Sequence, residues 1–462
     1  MTAERPRVPG GAAPLGASLG ASLAASLAAM LAACNSHHPP FPNAPPDAPV
    51  DALALPITPD AAPGAVVVSV TERGSPVPGL AVYFQAADSS LVLAAATDAA
   101  GTASTVLVAG GYVTVIETPD PDTGATRLAT FAQVQPGDAL HIDLVPTGPV
   151  DAATVAIAVP VAMDAASFEI DTSCGRLDAG ASGAASGALV GCGGAVDLIA
   201  FARDSSGSVI GSLYAPDVPV AGQPVVLAGG YTALVPTSFD YTGVPATSGT
   251  VTTLQTLATA RGSMFGDNTS AVVDAGKAAA TLAMPATTTL AMPTTGATAI
   301  TVSEALPADG DTTEQVIFDW ALWTASYRLD IAAAMLPPLA GRPAYDSGTR
   351  TVSWVEGTGG TAPNLVRAQV RAFRDGIPEG AAWTWTIVAP HGGTSVAFPR
   401  FPSSGFDYTP TAGDVPSVND LTIASVPGGY DAVRAHGFDQ VQRYVTGPTG
   451  RMVVQTLHSP SI

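Results

Sequence analysis

The 462-residue sequence predicts an all-β protein: tandem antiparallel β-sandwich domains that follow an extended, disordered N-terminal tether. Three observations carry this. Apolar and polar residues alternate with a period of two over many short runs. Gly (48) and Pro (41) punctuate the chain too densely for long helices. Beyond the N-terminal region no segment is long and apolar enough to cross a bilayer.

In chain order, residues 1–33 come first. Arg5 and Arg7 precede an apolar run rich in Ala, Leu and Ser, which ends in Leu31-Ala32-Ala33-Cys34. A basic start, an apolar core and small residues form the layout of an export signal. The final four residues resemble the lipobox of bacterial lipoproteins, which implies diacylation of Cys34, its exposure as the mature N-terminus, and attachment to a membrane. Asn35 in place of Asp resembles the lipoproteins sorted to the outer membrane, with a periplasmic or surface-exposed body. An uncleaved anchor and a cleaved signal without lipid are the alternatives, since Gly11–Ala33 approaches the roughly 20 residues that span a bilayer. Pro14 and repeated Gly and Ser argue against a spanning helix. Residues 34–62 hold eight prolines and read as a semi-rigid spacer reaching up to roughly 80 Å.

Residues 63–149 form the first β unit. Val66, Val68 and Val70 alternate with polar residues; Gly74-Ser75-Pro76-Val77-Pro78-Gly79 turns the chain; Leu80, Val82 and Phe84 share the next face. Thr97-Asp98-Ala99-Ala100-Gly101 turns it again, and Ala109-Gly110-Gly111-Tyr112 opens a strand through Ile116. This order over 64–117 resembles the carboxypeptidase regulatory-like (transthyretin-like) domain. The resemblance implies a non-catalytic, prealbumin-like sandwich and is nearly silent on function.

Residues 150–297 form a second sandwich. Phe168, Ile170, Thr172 and Cys174 take one face, with Glu169, Asp171 and Ser173 on the other. Val196–Arg203 and Val209–Tyr214 read as a hairpin about Asp204-Ser205-Ser206-Gly207. Of the three cysteines, Cys174 and Cys192 remain after Cys34. Export makes them a disulfide pair, clipping a 17-residue loop rich in Gly, Ala and Ser. A linker or a pair of edge strands accounts equally for TLAMP at Thr281–Pro285 and again at Thr289–Pro293.

Residues 298–462 form a third sandwich of general fibronectin- or immunoglobulin-like character, holding all five tryptophans. Trp323, Trp383 and Trp385 fall on dry faces, whereas Trp320 falls on a wet one. The pattern Gly-Gly-Tyr recurs at 110–112, 229–231 and 428–430, each expected to open a strand.

Charge and motifs bound the function. A formal net charge of −20 repels phosphate backbones, so no nucleic-acid partner is expected. No Gly-x-Ser-x-Gly, His-Glu-x-x-His or phosphate loop occurs, which argues against an enzyme. The acidic turns at Asp120–Asp122 and Asp309–Asp311 carry oxygen ligands of the kind Ca²⁺ takes, but neither fits the twelve-residue calcium loop, and turns use Asp for local bonds. No cofactor or metal is therefore expected. Candidate ligand-binding residues are Trp320, by stacking on sugar rings, and Arg367 with Arg371, a basic stripe suited to carboxylates. The function these readings favour is a lipid-anchored cell-envelope module for binding or scaffolding, with a glycan or an envelope protein as partner. A hydrolase, or its accessory domain, acting on polysaccharide or cell-wall material is the alternative from another class, and a structural spacer is the third.

Overall fold

The computed structural model describes residues 64–458, except 73–74, 118–124, 145–151, 163, 174, 191–194, 220–223, 247, 249, 260–261, 286–294, 306–311, 323–325, 376–380, 403–405 and 438–449. Cys34, Cys174, Cys192, Trp323, the second TLAMP and both acidic turns lie outside the described residues.

The first unit supplies β1 (Ala65–Glu72), β2 (Ser75–Pro76), β3 (Ala81–Gln85), β4 (Leu91–Ala96), β5 (Thr102–Val106), β6 (Gly111–Ile116), β7 (Thr126–Val134) and β8 (Ala139–Leu144). The alternation works as expected: Val66, Val68, Val70, Val82 and Phe84 are fully buried. The turn at 98–101 has a clear local cause. The Asp98 carboxylate accepts from the amides of Ala100 and Thr102 and from the Thr102 hydroxyl, each at 2.9 Å. Gly101 adopts φ +71°, and a Cβ there would lie 2.6 Å from the Val70 carbonyl, so glycine is required.

The second unit supplies β9 (Ala152–Ala158), β10 (Ser167–Thr172), β11 (Gly175–Ala179), β12 (Ala184–Val190), β13 (Ala195–Arg203), β14 (Val209–Pro219) and β15 (Val225–Val226). Sheets β11-β10-β13-β14 and β12-β9-β15 enclose an aliphatic core about Ile157, Phe168, Ile170 and Leu198. The hairpin β13–β14 forms where expected, its turn closed by Asp204. The polar face of β10 is partly buried. Asp171 and Ser173 are buried, because Arg176 on β11 pairs with Asp171 and the Ser173 hydroxyl accepts the Asp197 amide.

There follow β16 (Leu234–Thr242), β17 (Thr250–Thr259), β18 (Gly262–Val272), β19 (Ala278–Pro285), β20 (Thr295–Ala305), β21 (Thr312–Leu322) and β22 (Ser326–Asp330). The first TLAMP is thus the end of a strand, β19, paired with β16. Asp330 caps a short helix, α1 (Ile331–Ala334). The chain ends with β23 (Ala344–Asp346), β24 (Thr351–Ser353), β25 (Leu365–Arg374), β26 (Ala381–Pro390), β27 (Ser395–Ala397), β28 (Ser417–Ser425), α2 (Gly429–His436) and β29 (Gly450–His458). Here the third Gly-Gly-Tyr departs from expectation. Gly428 and Gly429 both have positive φ and lead into α2, in which Asp431 pairs with Arg434 at 3.2 Å.

The fold is all-β and sandwich-like, with most strand pairs antiparallel and four parallel among the described residues. Its dominant layer is a twelve-stranded sheet, β18-β17-β20-β21-β29-β28-β25-β26-β7-β6-β3-β4. Strands from all three sequence units join it, and the boundary drawn at 297/298 falls inside β20. The joint between β7 and β26 is parallel and pairs residues 126–131 with 383–388. Three contacts fasten it: Tyr430 Oη donates to the Ala132 carbonyl (2.6 Å), Trp385 Nε1 to Thr130 Oγ1 (2.7 Å) and Gln85 Nε2 to the Arg400 carbonyl (2.7 Å). One face of this sheet buries Trp383 and Trp385 completely, as their dry-face positions require. Their rings meet Phe398, Phe401 and Tyr408 edge-on at 5.4–6.1 Å, and each such large side chain contributes roughly 1.5–3 kcal/mol by burial.

Candidate functional site

Strict alternation on three neighbouring strands builds the site. In β25, Val366, Ala368, Val370 and Ala372 face the aromatic core, which turns Arg367, Gln369, Arg371 and Phe373 to the opposite face. In β26 the burial of Trp383, Trp385 and Ile387 likewise turns Thr384 and Thr386 outward. In β7, Leu128, Thr130 and Ala132 face that core and leave Arg127, Ala129 and Phe131 on the other face.

Strand register arranges these side chains in three rows. Arg127, Thr384 and Arg371 stand side by side, then Ala129, Thr386 and Gln369, then Phe131, Val388 and Arg367. The last row is apolar at Phe131 and Val388 because β1 and β8 pack over it with Val68, Leu140 and Ile142. Where that covering sheet stops, at His141 and Asp143, a cleft of about 220 Å³ opens against Arg127, Arg367, Gln369 and the two threonines. Beyond it the first row continues as open surface, with Arg371 exposed and Phe373 49% exposed.

The cleft groups are organised by hydrogen bonds and ion pairs. Arg127 Nε lies 3.0 Å from Glu117 Oε2, and Arg367 lies 3.9 Å from Asp420. Gln369 Nε2 donates to Thr386 Oγ1 at 3.3 Å. On the covering sheet Thr71 donates to Asp143 at 2.7 Å, and Ser69 Oγ is 3.0 Å from His141 Nδ1. The sheet wall offers guanidinium and amide donors and hydroxyls, with Glu117, His141 and Asp143 at its edge, a donor–acceptor set suited to holding a polar ligand.

Of the residues singled out in the sequence, Arg367 and Arg371 come together on one face of β25, and Arg367 lines the cleft. Trp320 does not join them: it sits on β21, separated from β25 by β29 and β28, and its side chain lies outside the described residues. Sequence reasoning missed Arg127, His141, Thr384, Thr386 and Phe373. Alternation in residues 126–134 and 383–387 carried the facing of most of these, but nothing local announces that β7 and β26 are neighbours. Among the described residues no three His, Cys, Asp or Glu gather as a metal site.

No protein-family model matches the sequence, and no curated protein matches it. Among solved structures, the Bacillus anthracis TIE protein is similar at 12% identity over 58% of this chain and 50% of that one, with a TM-score of 0.15. The native conformation of E. coli alpha-2-macroglobulin is similar at 12% identity over 76% and 26%, with a TM-score of 0.10. The chain thus spans half the length of the first and about a quarter of the second, and likenesses this slight carry no argument about fold or activity.

Proposed function

We propose that this chain is an exported lipoprotein, anchored by lipid at Cys34 in the bacterial cell envelope, whose β-sandwich body is a non-catalytic binding module. The observation that carries the reading is the sequence order at the N-terminus: a basic start, an apolar run, Leu31-Ala32-Ala33-Cys34, then a Pro-rich spacer. Asn35 favours the outer membrane, and the first unit is read as a carboxypeptidase regulatory-like domain. The cleft beside Arg367, fed by an open sheet face, supports binding as the task of the body.

Fractionation tests the anchor. Cys34→Ser should release the chain from membranes into the soluble fraction, and undiminished membrane retention would overturn the proposal. The oxidising compartment this address implies also pairs Cys174 with Cys192. Alkylation with and without reductant, read by mass, should show two protected thiols in the exported protein and none in a cytoplasmic form.

A further inference from the structure

We infer that the open face of β25, β26 and β7 binds a carboxylate-bearing saccharide, laid along β25 from Phe373 into the cleft. This deepens the binding reading above and rests on it.

The argument begins with charge. The chain carries 38 acidic against 18 basic residues, and most of the described arginines have a carboxylate at hand. Arg371, like Arg350 and Arg400, is an exception among the described residues. It is exposed, and no described carboxylate pairs with it. Its row reads Arg127, Thr384, Arg371, Ser417 across four strands, without an acid. Arg127 and Arg371 stand two strand spacings apart, roughly 10 Å, with only the Thr384 hydroxyl between them. Arg127 is held by Glu117 at 3.0 Å, so a ligand carboxylate takes its paired N–H donors from Arg371.

The neighbours of Arg371 give the rest of the ligand its chemistry. Phe373 follows on the same face, about 7 Å along the strand. An aromatic ring half exposed on a β surface offers apolar area to the axial C–H face of a sugar. On the other side Gln369, Thr386 and Thr384 present an amide and two hydroxyls, the groups that exchange hydrogen bonds with sugar hydroxyls. The track then enters the cleft. Its 220 Å³ lies below the roughly 300–1,000 Å³ of pockets that take drug-sized ligands, so it accommodates one terminal ring rather than a whole oligomer. Ring, cation, amide and cleft thus recur at the spacing of alternate strand residues, the geometry of a chain ligand lying parallel to β25.

The test is calorimetric titration of the detergent-solubilised full chain with oligomers of galacturonate, mannuronate, guluronate and glucuronate-containing hyaluronan, each against its methyl ester. At least one free acid should bind, more weakly as salt rises, and its ester should bind at least tenfold less well. Arg371→Gln should weaken that binding tenfold or more, and Phe373→Ser at least fivefold. Both side chains are exposed, so thermal unfolding of the variants should match the parent. Absence of binding by all four acids at millimolar concentration, equal binding of acid and ester, or unchanged binding by Arg371→Gln would each overturn the inference. Membrane release by Cys34→Ser is read separately, so failure here leaves the anchoring proposal standing or falling on its own result.

Discussion

Asp171 in the second unit and Asp414 in the third are both buried aspartates gripped by an arginine through two nitrogens, yet they titrate in opposite directions. Arg176 reaches Asp171 at 2.6 and 3.2 Å; Arg374 reaches Asp414 at 2.7 Å twice. Burial pushes the Asp171 carboxyl up to about 6, against the opposing pull of Arg176, with Glu169 nearby adding to the rise. Hydrogen bonds from Arg374 hold Asp414 down to about 2, overcoming burial, with help from Thr411. The difference lies in donors: Asp414 also accepts from the Thr411 amide and hydroxyl, both at 2.8 Å. Arg374 is itself pinned over the rings of Trp383 (5.2 Å) and Phe406 (4.9 Å), whereas the Arg176 side chain is half exposed and shared with Glu169. A buried carboxylate stays charged when its partners are numerous and immobile; a single half-solvated guanidinium does not suffice.

The largest expected effect comes from breaking the better-held pair. Arg374→Met strands a nearly buried carboxylate and removes two cation–π contacts, and should destabilise the third unit by about 4 kcal/mol. Denaturant midpoints followed by tryptophan fluorescence measure it, since Trp383 lies directly under the guanidinium.

Acidity separates the two regions next. A raised carboxyl contributes stability that is complete below its unfolded value of 3.8 and lost as pH climbs through 6. Lowering pH from 7.5 to 4 should therefore stabilise the second unit by up to about 3 kcal/mol. A depressed carboxyl contributes stability that begins to be lost near 3.8 and is gone only below 2, so Asp414 adds little slope over the same range. Amide exchange in β10 and β13, set against β25 and β28, should show protection rising on acidification in the first pair, and Asp171→Asn should flatten that rise. An unchanged slope in Asp171→Asn would assign the pH dependence elsewhere.

The same contrast explains what could be read in the sequence. Residues whose structure follows from neighbours along the chain were legible: the valines of β1, the Asp98–Gly101 turn, the β13–β14 hairpin, and Arg367 with Arg371 on one face of β25. Residues whose environment depends on distant partners were not. Alternation placed Asp171 on a polar face, and only the pairing of β10 with β11 and β13 sets Arg176 and Ile199 beside it. Half of the candidate site was visible in β25 alone. Arg127 and His141 reach it through the parallel β7–β26 joint and the fold-over of β8, pairings between segments far apart in the chain that leave no local pattern. Gly428-Gly429-Tyr430 shows the complementary error, in which a motif shared with two other places leads into a helix.

That third Gly-Gly-Tyr also bolts the first unit to the third. Tyr430 is buried, and its hydroxyl donates to Ala132 on β7 at 2.6 Å and reaches the Val388 carbonyl on β26 at 3.4 Å. Tyr430→Phe leaves those carbonyls short of a donor and should lower stability by about 1.5 kcal/mol. The loss should appear equally in probes of β7 and of β26, as amide exchange would report. A loss confined to one strand would mean that the hydroxyl does not join the units.

The smallest effect sharpens the opening contrast most. Arg176→Met removes the partner of Asp171, but a half-exposed guanidinium acts through screening solvent, and the freed carboxyl can take up a proton at modest expense. The loss should be about 1 kcal/mol at pH 7.5, and it should fade toward zero by pH 5, where Asp171 is largely protonated with or without Arg176. Arg374→Met should behave otherwise, its larger loss persisting at pH 5 to the extent that the Thr411 amide and hydroxyl keep Asp414 ionised. Thermal melts of both variants at the two pH values give the four numbers needed. If the Arg176→Met loss persisted undiminished at pH 5, Asp171 would be charged there, and the distinction between a crowded and a sparse donor shell would collapse.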